Sequence, residues 1–216
     1  MTLTGHSPLR RRGARQKRAS NPILLSILIC TVAVGLLASQ AETGDLDRVD
    51  LRVSKADGFA YRDLKSSRPI VMFPVSPKIA DFATAKRLSS ALDDQAESSR
   101  FISPNQVQKV LQNRYLSSGF DSLVTTLSTV QPAESFSVLS TVANNFSARH
   151  ALVPVDVIID NSNNRYTFDV MFVLVDMESG SPCLVMSATD WATEAKKDEV
   201  ESLTFQAILR VLRQGT

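Results

Sequence analysis

The sequence predicts an α/β (α+β) domain: a mixed sheet with a C-terminal antiparallel three-strand meander, flanked by about four helices. Three observations predict it. Along Arg165–Asp190, Tyr166, Phe168, Val170, Phe172 and Leu174 alternate with Thr167, Asp169, Met171, Val173 and Val175, the period of a strand with two distinct faces. The stretch breaks once, at Glu178-Ser179-Gly180-Ser181, where glycine takes positive φ at little cost and Pro182 restarts an extended chain. Just upstream, His150–Asp160 is rich in β-branched residues and is joined to the hairpin by Asn161, Ser162, Asn163 and Asn164, a turn that pairs the two strands antiparallel. Several segments before and after this block carry apolar residues at helical spacing instead.

Taken in order, the body opens with Glu42–Ser67, a mixed-charge stretch of little periodicity that reads as a linker carrying one short strand around Leu51–Val53. Pro69 then leads into Ile70–Val75, a continuous apolar run and the first core strand. Asp81–Ala96 places Phe82, Ala85, Leu88 or Ser89, Leu92 and Ala96 on one helical face. Phe101-Ile102 is a short strand. Ser103-Pro104 starts the next helix, because serine caps free N–H groups and proline fits the first helical position. Its inner face is expected to hold Val107, Val110, Leu111 and Tyr115 or Arg114, with Gly119 as its stop. Asp121–Thr129 reads as a further short helix before Pro132, and Glu134–Phe146 as a helix with Phe136, Leu139, Val142, Ala143 and Phe146 in one stripe. Pro154 predicts an irregular or edge position within His150–Asp160. A last helix, Glu194–Arg213, turns Val200, Leu203, Ala207, Ile208 and Val211 to the sheet and is expected to keep Glu199, Glu201 and Arg210 in water.

Charge divides the chain. Residues 1–41 hold Arg10, Arg11, Arg12, Arg15, Lys17 and Arg18 and no acid; removing these six leaves 18 basic against 22 acidic residues, a net of −4. A mildly acidic body without a basic stripe is a poor match for nucleic acid, whose binding rests on counterion release at basic faces. Residues 23–38, ILLSILICTVAVGLLA, follow the basic cluster as an apolar run, and Ser39-Gln40-Ala41 supplies small residues for a signal peptidase. The expected organisation is therefore residues 1–41 as signal peptide or N-terminal membrane anchor, 42–67 as linker and 68–216 as the α/β domain. The location is periplasmic, either soluble after cleavage or held at the inner membrane by residues 23–38. Leu28-Ile29-Cys30 is no lipoprotein box, because Ile29 is bulky and the apolar run continues past the cysteine. Only Cys30 and Cys183 are present, so the body has no internal disulfide, and Cys183 reads as a buried thiol.

Catalytic chemistry finds little to work with. His150 is the one histidine of the body and sits where a helix hands over to a strand, a structural or surface position without a nucleophile beside it. No catalytic, cofactor-binding or metal site is expected; Asp160-Asn161-Ser162-Asn163-Asn164 lacks the glycine and terminal glutamate of a calcium loop. Asp156, Asp160, Asp169 and Asp176 leave a hydrolase built on paired carboxylates as a remote alternative, to be decided by whether they share a cleft. Trp191 reads as a packing residue at the sheet margin, and exposure there would mark a partner site instead. Asn145-Phe146-Ser147 fits a glycosylation sequon on a helix expected to bury Phe146.

Read together, IVMFPV at Ile70–Val75, the helix ending in LSSALDDQ, SRFISPNQVQKVL, VANNFSARHALVPVDVII at Val142–Ile159 and FDVMFVLVDMESGSPCLVMSA at Phe168–Ala188 resemble one family of exported domains. It comprises the CsgG-type proteins of curli secretion, the amino-terminal domain of TolB and the LpoB-type activators of cell-wall synthases. The resemblance covers about residues 68–213 and rests on the order of elements more than on any one motif. Three features depart from the pattern: there is no lipobox, no glycine before His150–Asp160, and no propeller or pore-forming hairpin. The resemblance implies a non-enzymatic module that binds other envelope proteins, or its own copies in a ring, within an assembly, secretion or surface-structure machine. Regulation of a peptidoglycan synthase is the alternative that it leaves open.

Overall fold

The computed structural model describes residues 46–65, 68–96, 100–132 and 136–214. The basic cluster, the apolar run 23–38 and Cys30 lie outside the described residues. Six strands, β1 (Asp50–Lys55), β2 (Ile70–Met72), β3 (Phe101–Ile102), β4 (His150–Ser162), β5 (Arg165–Asp176) and β6 (Pro182–Thr193), form one sheet in the order β1-β6-β5-β4-β2-β3. β2 runs parallel to β3 and β4, and the other pairs are antiparallel, which is the mixed sheet with a C-terminal meander that the sequence predicts. Among the described residues there are five α-helices rather than about four: α1 (Phe82–Asp94), α2 (Pro104–Asn113), α3 (Ser117–Ser128), α4 (Phe136–Phe146) and α5 (Lys197–Gln214). None is long and apolar enough to cross a membrane.

The two sheet faces build two cores. Even-numbered residues of β5, from Tyr166 to Leu174, pack with Leu184, Met186 and Ala188 of β6 beneath α1 and α5, through Leu88, Leu92, Phe205 and Ile208. Val173 and Val175 on the opposite face join Ala151, Val153 and Val155 of β4 beneath α2, α3 and α4, through Leu111, Leu123 and Val142. Layers of helix on both faces give the sheet the burial its apolar strands demand.

Local chemistry sets the boundaries. The Asp81 carboxylate accepts from the N–H groups of Ala83 and Thr84 at 3.0 and 3.1 Å and opens α1, while Ser103 and Gln106 form a capping box ahead of Pro104. Asn163 and Asn164 both take positive φ, 55° and 57°, the backbone of a type I′ turn whose twist suits a tight hairpin. Pro154 is tolerated inside β4 because the β4–β5 register slips between Pro154 and Asp156, leaving Val155 as the extra residue of a bulge.

Five expectations change. Leu51–Val53 is part of β1, which pairs along its whole length with β6, and Val49 and Leu64 are buried, so residues 46–65 belong to the domain rather than to a spacer. Phe82 is 73% exposed and Tyr115 92% exposed, outside the helical faces assigned to them. Gly119 does not stop α2; that helix closes one turn earlier, with Tyr115 at φ 55° and the Leu116 N–H donating to the Leu111 carbonyl at 2.8 Å. Gly119 instead lies inside α3, where an added Cβ would sit 2.7 Å from Cγ2 of Val138, so the glycine permits close approach of α3 to α4. Glu201, expected in water, is 1% exposed.

Candidate interaction surface

The helical layers cover the two faces of the sheet unequally. Beneath α1 and α5 burial runs the length of the hairpin, from Leu174 and Leu184 to Tyr166 and Ala192. Beneath α2, α3 and α4 it ends with Val173 and Val155, Met171 and Val185 being only partly buried. Beyond that line the sheet face is open. Its rows follow from the register: Asp156 faces Met171, which faces Ser187; Ile158 faces Asp169, which faces Thr189; Asp160 faces Thr167, which faces Trp191. At the margin Asp50 and Arg52 of β1 close a surface ion pair at 2.8 Å.

Two large apolar side chains stand on this face, Ile158 at 55% exposure and Trp191 at 54%. Leaving about half of each in water forgoes about 1 kcal/mol apiece relative to burial, enough to matter in a partner interface and not enough to threaten the fold. The Arg165 guanidinium lies over the Trp191 ring, 3.9 Å from its centroid, a cation–π contact between β5 and β6. Trp191 is thus not a packing residue at a covered margin; it is the exposed aromatic that the alternative reading required.

The four aspartates do not gather in one place. Asp156 and Asp160 are exposed and Asp169 is half-buried on the face that carries Ile158. Asp176 lies apart, accepting from the Glu178 and Ser179 N–H groups at 3.0 and 2.9 Å and from Arg149 at 3.1 Å. Burial alone would raise the Asp176 pKa, but those three donors hold it below the usual carboxylate range. It caps the hairpin turn. The depressions elsewhere on the surface, about 260 Å³ beside Arg68 and Asn144 and about 430 Å³ between Lys78 and the Ser118–Thr126 side of α3, contain none of these four residues. Among the described residues no group of three or more His, Cys, Asp or Glu side chains could hold a metal ion. Asn145 is exposed and donates to the Thr141 carbonyl within α4, and Phe146 beside it is half-buried.

Buried polar chemistry gathers instead on the far face. The Tyr166 hydroxyl and the Arg87 guanidinium both donate to the Glu201 carboxylate, tying β5, α1 and α5 together. Burial, reinforced by the hydrogen bond to Glu201, pushes the Tyr166 pKa up. A second pair, Arg48 with the buried Asp190 at 3.0 Å, pins the chain ahead of β1 to the end of β6. The sequence did hold a signal for the first cluster: Glu201 falls three and seven positions before Thr204 and Ile208, within the stripe that faces the sheet.

The fold and the open face define a three-layer domain with a mixed sheet. No family model matches the chain, and no curated protein sequence does. Among solved structures, the PelC dodecamer from Paraburkholderia phytofirmans overlays with a TM-score of 0.44 at 10% identity, over 76% of this chain and 96% of that one. Lipoprotein GNA1162 from Neisseria meningitidis overlays with a TM-score of 0.42 at 12% identity, over 68% of this chain and 99% of that one. Overlays this loose assign neither a role nor a partner to the chain.

Proposed function

We propose that the chain is an exported, non-enzymatic module that binds another protein of a bacterial cell envelope, as part of an assembly, secretion or surface-structure machine. The observation that carries this reading is the half-covered sheet face, on which Ile158 and Trp191 stand exposed on long, otherwise well-packed strands. Exposed apolar groups rimmed by charge are the anatomy of a protein interface, and tryptophan and arginine are the residues that most often anchor one. Export is supported by the basic residues before the apolar run 23–38, which orient the rest of the chain away from the cytoplasm.

A photoreactive amino acid placed at position 158 of the full chain, in cells, tests this. The expected result is a discrete covalent adduct, either with a second copy or with a different envelope protein, that is lost in a Trp191→Asp background and absent when the probe stands at position 82. No adduct at position 158, or the same adducts at both positions, would contradict an interface on this face.

A further inference from the structure

Between β1 and β2 the chain crosses one end of the sheet as a strap, residues 56–65. The Ala56 N–H donates to the Cys183 carbonyl at 3.0 Å, and Gly58 turns the chain at a φ of +82°. Asp63 accepts from the Ala60 N–H at 3.0 Å and sets the short 3-10 helix Tyr61–Lys65. Leu64 is inserted into the core at 1% exposure, and the Arg100 guanidinium donates to its carbonyl. On the inner side of this strap the Phe59 ring meets the His150 imidazole edge-on, centroids 6.4 Å apart. His150 is 3% exposed.

Burial against a hydrocarbon ring favours the neutral imidazole, because the imidazolium loses hydration there. We propose that residues 56–65 are an acid-released strap: protonation of His150 undoes its seat beneath Phe59 and frees the strap. The charged groups around the imidazole partly cancel. Asp176 on β5 and Asp63 in the strap favour the proton, whereas Arg149 and Arg100 oppose it. Burial, with the two arginines on its side, outweighs the two acids and holds the His150 pKa below its ordinary 6.5.

The sign follows from linkage. The open state takes up the proton at the ordinary value and the closed state at a lower pH, so closure is fully favoured above about pH 6.5 and is lost as pH falls below it.

Hydrogen exchange on the full chain at about pH 7.5 and pH 5.0, corrected for the intrinsic rates, tests the strap. Protection at the Ala56 and Asp63 amides is expected to fall on the order of tenfold on acidification, while Phe205–Leu209 in α5 keep theirs. The fall should track the titration of His150 followed by NMR, and it should vanish in His150→Leu. Phe59→Ala should expose the same amides at both pH values. Unchanged protection between the two pH values in the wild-type chain would overturn the proposal. So would a fall that persists in His150→Leu, or one that does not follow the His150 titration.

Discussion

Phe205→Ala is expected to lower the free energy of unfolding by about 4 kcal/mol, within the range for emptying a phenylalanine site in a packed core. Phe205 is fully buried on α5, and its ring stands edge-on to both Phe168 and Phe172 of β5, at 5.6 and 6.1 Å between centroids. Each such contact adds about 0.5–1.5 kcal/mol beyond area burial, and a cavity beneath a long helix cannot close without shifting it. Chemical denaturation reads the result as a lower midpoint at unchanged slope. Phe82→Ala, which removes a ring that is 73% exposed, should stay within about 0.5 kcal/mol of the wild type. Comparable losses for the two would mean that α5 is not the element that closes this core.

The second large effect is expected at the buried carboxylate. Arg87→Met removes the guanidinium that pairs with Glu201 and leaves the carboxylate, itself 2% exposed, with the Tyr166 hydroxyl as its remaining partner. Breaking a buried pair from one side costs about 3–5 kcal/mol; because the Arg87 side chain is 38% exposed and partly screened, about 2–3 kcal/mol is the expected loss. Replacing the whole cluster has a different sign of logic. The triple variant Arg87→Met, Glu201→Leu, Tyr166→Phe removes every polar group together and should recover to within about 1 kcal/mol of the wild type. A triple variant no more stable than Arg87→Met alone would show that the cluster contributes through geometry that apolar packing cannot replace.

These two sites also show what is local in the sequence and what is not. The faces of β5, the Ser103-Pro104 start of α2 and the two-asparagine turn are legible because each depends on residues a few positions apart. The failures share a cause. β1 looks like part of a linker until β6 pairs with it, and the paired residues Asp50 and Thr189 are far apart along the chain. Gly119 carries a local message, a helix stop, that is overridden by the approach of α4 to within 2.7 Å of where its Cβ would be. Tyr115 and Ser147 close their helices in left-handed conformations that a search for glycine does not find. Glu201 sits in the apolar stripe, but only the arrival of Arg87 and Tyr166 from two other elements makes its burial tolerable.

The open face follows the same rule. Strand periodicity sorts Asp169 from the residues behind it, whereas Ile158 joins the same face only because the bulge at Val155 shifts the alternation of β4. How far α2, α3 and α4 extend over that face is set by the lengths of β4, β5 and β6 relative to three short helices, a property of the assembled domain. Hence Trp191 could be read as covered. Asp176 is separated from the other three aspartates because it alternates with Asp169 along β5 and lies at the strand's far end, where the turn amides hold it.

The central claim is that this face is bare in the isolated protein and covered in its working environment. Carbene footprinting of the full chain, purified and in intact cells, measures this directly. Ile158, Met171 and Trp191 are predicted to label readily in the purified protein and several-fold less in cells, while Phe82 and Tyr115 label alike in both. Equal labelling of Ile158 and Trp191 in the two settings would contradict it.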